Sequence, residues 1–132
     1  MANFHTKVSL RGFHFEDFHL TFTLAAGIVA ADSGKAVSID TSAPNKVKLA
    51  GDGDTIIGRL ATVEDRKVEG QLVGAVALKF ANTLPIKAGQ TVAVGDTVVG
   101  AGAGEVKKAT AADHSKNFVA EILGGEAVVV LV

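Results

Sequence analysis

The side chains in this sequence equipped for acid–base or metal chemistry are 4 histidines and 14 carboxylates, and there is no cysteine. The densest grouping is His14-x-Glu16-x-x-His19, inside the stretch FHFEDFHLTF (Phe13–Phe22). Imidazole and carboxylate together are zinc-type ligands. On a strand, however, His14 and Glu16 share one face and His19 falls on the other. The spacing also departs from the helical His-x-x-x-His arrangement that brings two imidazoles to one ion. The grouping therefore reads as no metal site, and His5 and His114 as solvated side chains. Gly51-Asp52-Gly53-Asp54 offers oxygen ligands but lacks the downstream bidentate glutamate of a calcium loop, and reads as a turn. Gly100-Ala-Gly-Ala-Gly104 lacks the Lys-Ser/Thr pair that completes a phosphate loop, and reads as a hairpin connection. No Gly-x-Ser-x-Gly elbow presents a nucleophilic serine. Without thiols there are no disulfides, thiolate ligands or cysteine nucleophiles. Paired carboxylates are made in space, so spacing leaves that possibility open. A catalytic pocket also draws on aromatics and convergent polar groups, and the chain has 7 Phe and no Trp or Tyr. The expectation is a protein that is not an enzyme, with no cofactor, no metal and no small-molecule substrate.

The elements that would hold such residues follow from composition and punctuation. A chain of 132 residues, 48% hydrophobic and 20% charged, can bury a core as one domain. Its formal net charge is -1, and its basic residues are scattered apart from Arg66-Lys67 and Lys107-Lys108. That distribution lacks the basic stripe that nucleic-acid binding needs. MANFHTKVSLRG has no long apolar run, so no secretory signal is expected. The longest near-apolar stretch, Leu24–Ala31, is far short of the roughly 20 residues that span a bilayer.

Gly, Asp and Asn turn signals recur about every 8–12 residues between Val- and Ile-rich runs, the pattern of an all-β protein. In KAVSID, Ala36 and Ser38 alternate with Val37 and Ile39. In NKVKLA, Val47 and Leu49 alternate with two lysines. Both read as half-buried strands. QTVAVGDTVVG reads as a strand, a Gly-Asp turn and a second strand. QLVGAVALKF is apolar on both faces and reads as a central strand, with Gly74 at a bulge or a close backbone approach. Asn117–Leu123 and Ala127–Val132 read as a hairpin turning at Gly124-Gly125. The C-terminal AVVVLV would be an aggregation hazard if left uncovered, so it is expected to pair in the barrel or at a subunit interface. TAADHSKNF carries a capping-box spacing, Thr110 to Asp113, and is the best candidate for a short helix.

The phenylalanines are unevenly placed. Phe4, Phe13, Phe15, Phe18 and Phe22 fall near one end, leaving only Phe80 and Phe118 elsewhere. As a strand, Phe13 and Phe15 share a face, whereas Phe18, Leu20, Phe22 and Leu24 follow the opposite parity. The change at Glu16-Asp17 calls for a bend. The reading is an extended arm over residues 1–17 and a barrel domain over 18–132, with the first barrel strand at Phe18–Leu24. Ordering such an arm costs roughly 1–2 kcal/mol of backbone entropy per residue, which large apolar anchors can offset. Phe4, Phe13, Phe15 and Phe18, with Lys7 and Arg11, are therefore the expected contact residues toward a partner surface or a sister subunit.

From about Gly27 onward the chain resembles the capsid cement, or head decoration, proteins of tailed bacteriophages. The resemblance is carried by GKAVSID, NKVKLAGDGDTIIGRLATVED, GQLVGAVALKF, PIKAGQTVAVGDTVVGAGAGEVKKA and VAEILGGEAVVVLV. It implies a small β-barrel or β-tulip/sandwich on the outer surface of an icosahedral head, made in the host cytoplasm. It further implies the major capsid protein as partner and a homotrimer as the assembled form. No active-site residue is carried over. Two alternatives share some of these signals. One is another phage structural β-domain, in a tail or baseplate. The other is a biotinyl/lipoyl-like carrier domain or a small hydrolytic enzyme; IKAGQTVAVGDTVVG resembles the carrier domains, although no Met-Lys-Met or Asp-Lys-Ala tip is present.

Overall fold

A computed structural model describes residues 18–66, 71–110 and 116–131. It is an all-β fold of ten strands with one 3-10 turn at Ala30–Asp32. Five strands close a barrel: β1 (Phe18–Leu24), β3 (Lys46–Leu49), β2 (Ala36–Ile39), β4 (Gly58–Leu60) and β6 (Gln71–Pro85), with β6 returning to β1. The β1–β3 pair is parallel, and the other pairs around the ring are antiparallel. A short strand, β5 (Glu64–Arg66), pairs with the start of β6.

The 15-residue β6 is the spine of the molecule. Its first half pairs with β1 over Val73–Lys79, and its second half pairs with β10 (Glu126–Leu131) over Phe80–Pro85. The sheet continues from β10 to β9 (Phe118–Leu123), while β7 (Val98–Gly102) and β8 (Glu105–Lys108) form a separate hairpin. There are accordingly two cores. Leu24, Ile28, Val37, Val47, Leu60 and Val76 fill the barrel. Phe80, Leu84, Val98, Val106, Val119 and Val129 belong to the second core, which β6, β10 and the β7–β8 hairpin share. The expected central strand with apolar residues on both faces is therefore present, and it runs five residues past Phe80 before Pro85 ends it. Lacking an N–H, Pro85 is a natural place for the ladder to stop. Gly74 sits at a close backbone approach, as expected: a Cβ there would lie 2.3 Å from the Thr62 carbonyl oxygen.

Other expectations are met or corrected locally. β1 spans Phe18–Leu24, and β9 and β10 form the expected C-terminal hairpin, joined by the turn at Gly124-Gly125. The terminal Val-rich strand pairs on both sides, with β6 and with β9. β2 is not half-buried: Ala36, Val37 and Ser38 are all buried and only Ile39 is exposed. The reason is that β2 lies between the two cores, Val37 facing the barrel and Ala36 the second cluster. The strand expected at the start of QTVAVGDTVVG is absent. Thr91–Val94 is irregular, and Ala93 N–H donates to the Asp96 carboxylate at 2.9 Å while Asp96 N–H donates to the Ala93 carbonyl. The side-chain bond gives the backbone a local partner in place of a ladder. Most of the expected helix lies outside the described residues, and Phe118 from its last position opens β9 instead.

Candidate functional site

The barrel wall is uneven in height, and this exposes one end of β1. β3 covers β1 only at Thr23 and Leu24, opposite Lys46 and Val47. On the other side β6 follows β1 from Phe18 opposite Lys79 to Thr23 opposite Val73, with a register shift between Phe18 and His19. Phe18–Phe22 thus has one paired edge and, among the described residues, no strand on the other. Thr23 N–H turns toward that second edge, where it donates to the Asn45 carbonyl at 2.9 Å. Strand geometry points the N–H and C=O groups of Thr21 and His19 the same way.

The side chains at this end are in water on both faces. Phe18 is 49% exposed and Leu20 is 44% exposed, while Phe22 packs against the barrel core and Leu24 is buried at 3%. The alternation expected from the sequence is present, but the strand enters the barrel only at Phe22. Phe18, one of the expected contact residues, therefore lies outside the core. Phe4, Lys7, Arg11, Phe13 and Phe15 lie outside the described residues, as does the arm reading over 1–17. An open edge beside exposed apolar side chains is a template for adding a strand from another chain.

The two glycine-rich loops that invited a ligand reading are packed on each other. Gly53 N–H donates to the Gly100 carbonyl at 2.8 Å, and Gly100 N–H donates to the Asp54 carbonyl at 2.8 Å. A Cβ at Gly100 would lie 2.2 Å from the Gly51 carbonyl oxygen, so only glycine allows this approach. Asp54 accepts from Gly51 N–H at 2.9 Å and faces Lys48 Nζ at 3.3 Å. Asp52 pairs with Lys107, whose ammonium holds the Asp52 carboxyl below its usual range. Among the described residues no group of three or more His, Cys, Asp or Glu side chains could hold a metal ion. His19 is exposed, and His14 and Glu16 lie outside the described residues.

Three polar side chains that the sequence did not single out organise the interior. Asn117, 2% exposed, accepts from Val98 N–H at 2.8 Å and donates to the Val98 carbonyl at 3.0 Å, acting as a one-residue strand partner. Asp32 accepts from Val29 N–H at 2.9 Å and from Lys35 Nζ at 3.0 Å. The Val29 bond, with help from Lys35, holds the Asp32 carboxyl below its ordinary value. Arg59 Nε donates to the Thr83 carbonyl at 2.8 Å, and Thr83 N–H donates to Asn82 Oδ1 at 2.8 Å. Side chains thus satisfy the backbone of β6 at Thr83, opposite its β10 side. None of the three has a local sequence signature, because each partner is distant or set by the turn geometry.

The chain matches no protein-family model and no curated protein sequence.

Proposed function

We propose that this protein is a structural virion component that binds the outside of an icosahedral phage capsid. There it reinforces contacts between capsomers of the major capsid protein, as a homotrimer and without catalysis. The observation that carries the reading is the start of β1. A strand edge with no partner strand among the described residues, carrying exposed Phe18 and Leu20, directly follows the phenylalanine-bearing residues 1–17. Apolar anchors and an open edge give a contact both burial and main-chain hydrogen bonds. The rest of the described domain is a doubly cored barrel closed by short turns, a rigid platform from which several such contacts could act together. In a trimer the contacts would reinforce one another through effective concentration. Binding only to the assembled lattice would stabilise that lattice by mass action.

The test is co-sedimentation with DNA-free heads, using the full chain and a chain that starts at Phe18. The full chain is expected to sediment with heads. A shortened chain that stays folded is expected to remain in the supernatant. Equal sedimentation of the two would remove the arm from the contact, and failure of the full chain to sediment would overturn the capsid reading.

A further inference from the structure

Arg59 has more hydrogen-bonding capacity than the fold uses. It leaves β4 and reaches over the second half of β6, where Nε is fixed on the Thr83 carbonyl at 2.8 Å. Its Nη groups have no hydrogen-bond or ion-pair partner among the described residues. They border a cavity of about 240 Å³ shared with Ser33, Gly34, Lys35, Pro85 and Glu126. Gly34 keeps one wall open: a Cβ there would lie 3.2 Å from Nη2, and its φ of +94° also favours glycine. The guanidinium is partly buried, and burial lowers its pKa while the Glu126 charge raises it. No carboxylate of the described residues comes within ion-pair distance of it. Lys35 is already paired with Asp32 at 3.0 Å.

A partly desolvated cation needs a counter-charge, and a guanidinium held at Nε presents its Nη edge as a planar fork. We propose that the Arg59 cleft is a binding site for a carboxylate, which would sit across the two Nη groups above Gly34. The fork geometry matches two carboxylate oxygens, and the cleft has room for an acidic group. The carboxylate belongs either to an acidic residue of a partner protein or to a small free acid. The site lies on β4, β6 and β10, apart from the start of β1, so it does not depend on the capsid reading.

The test uses the full chain in solution, following Arg59 Nε–H and the Gly34 amide by NMR. Sodium acetate is titrated at constant ionic strength against sodium chloride. Saturable shifts of both signals with acetate, absent with chloride, are expected. Acetyl-glutamate amide then separates the sources: saturation with it assigns a protein side chain, and saturation with acetate alone assigns a small acid. Arg59→Lys keeps the charge but loses the fork, and should weaken acetate binding by about tenfold or more. Glu126→Gln removes a competing negative charge and should lower half-saturation by about threefold. Matching linear drift with both salts, or wild-type saturation in Arg59→Lys, would overturn the proposal. If Arg59→Lys does not fold, Glu126→Gln decides, and an unchanged half-saturation counts against the site.

Discussion

Single residues in this molecule act mainly by letting backbone segments meet. Gly100 is the sharpest case, because a methyl group there would collide with the Gly51 carbonyl. Gly100→Ala must separate two loops that exchange backbone hydrogen bonds, and is expected to cost about 1–3 kcal/mol, as overpacking does. Urea unfolding would measure it, and an unchanged midpoint would mean that the loops part freely. Asn117 acts by hydrogen bonding instead. Asn117→Ala strands the N–H and C=O of Val98 in the interior, at about 1–3 kcal/mol for an unsatisfied buried group. Asp32 gives a pH dependence. Its folded pKa lies below the ordinary 3.8, so the unfolded chain binds its proton first as pH falls. The stability contributed by Asp32 is then complete above 3.8 and is lost as pH drops through the lower folded value. Thermal melts of wild type and Asp32→Asn should therefore differ at neutral pH and converge in acid; a gap that widens in acid would contradict the assignment.

Among the elements, those with strong local periodicity were the legible ones. β1, β9 and β10 fall where alternation and turn residues placed them, and β6 is apolar on both faces because it serves two cores. Thr91–Val94 was misread for a physical reason. TVAV has the side chains of a strand, but the Asp96 carboxylate takes the Ala93 N–H that a ladder would need. β2 was misread because alternation reports polarity and not how many layers cover a strand. Ser38 is buried and donates to the Thr55 carbonyl at 2.8 Å, so a polar residue there marks no solvated face. The exposure of Leu20 was equally hidden, since it depends on β3 reaching only as far as Thr23. A double substitution, Phe18→Ser with Leu20→Ser, removes apolar surface that the core does not use. It is expected to leave the melting temperature nearly unchanged and to weaken head binding by at least about tenfold, a loss of roughly 1.4 kcal/mol. A large fall in melting temperature would return both residues to the core.

For the molecule as a whole, the parallel closure of β1 on β3 makes the barrel a ring that, among the described residues, has an open edge at the start of β1. Closure of this kind was not readable from any one segment, because it joins strands separated by the whole of β2. It matters for the proposed role, since a ring resists shear, while among the described residues the start of β1 offers an edge for a new strand beside exposed apolar side chains. The most direct test is a cryo-EM map of purified particles carrying this protein. The account predicts barrel-sized density on the outer shell at capsomer junctions, with the Phe18 end of β1 turned toward the major capsid protein. Density confined to the tail or baseplate, or barrels on the shell with that end facing solvent, would contradict it.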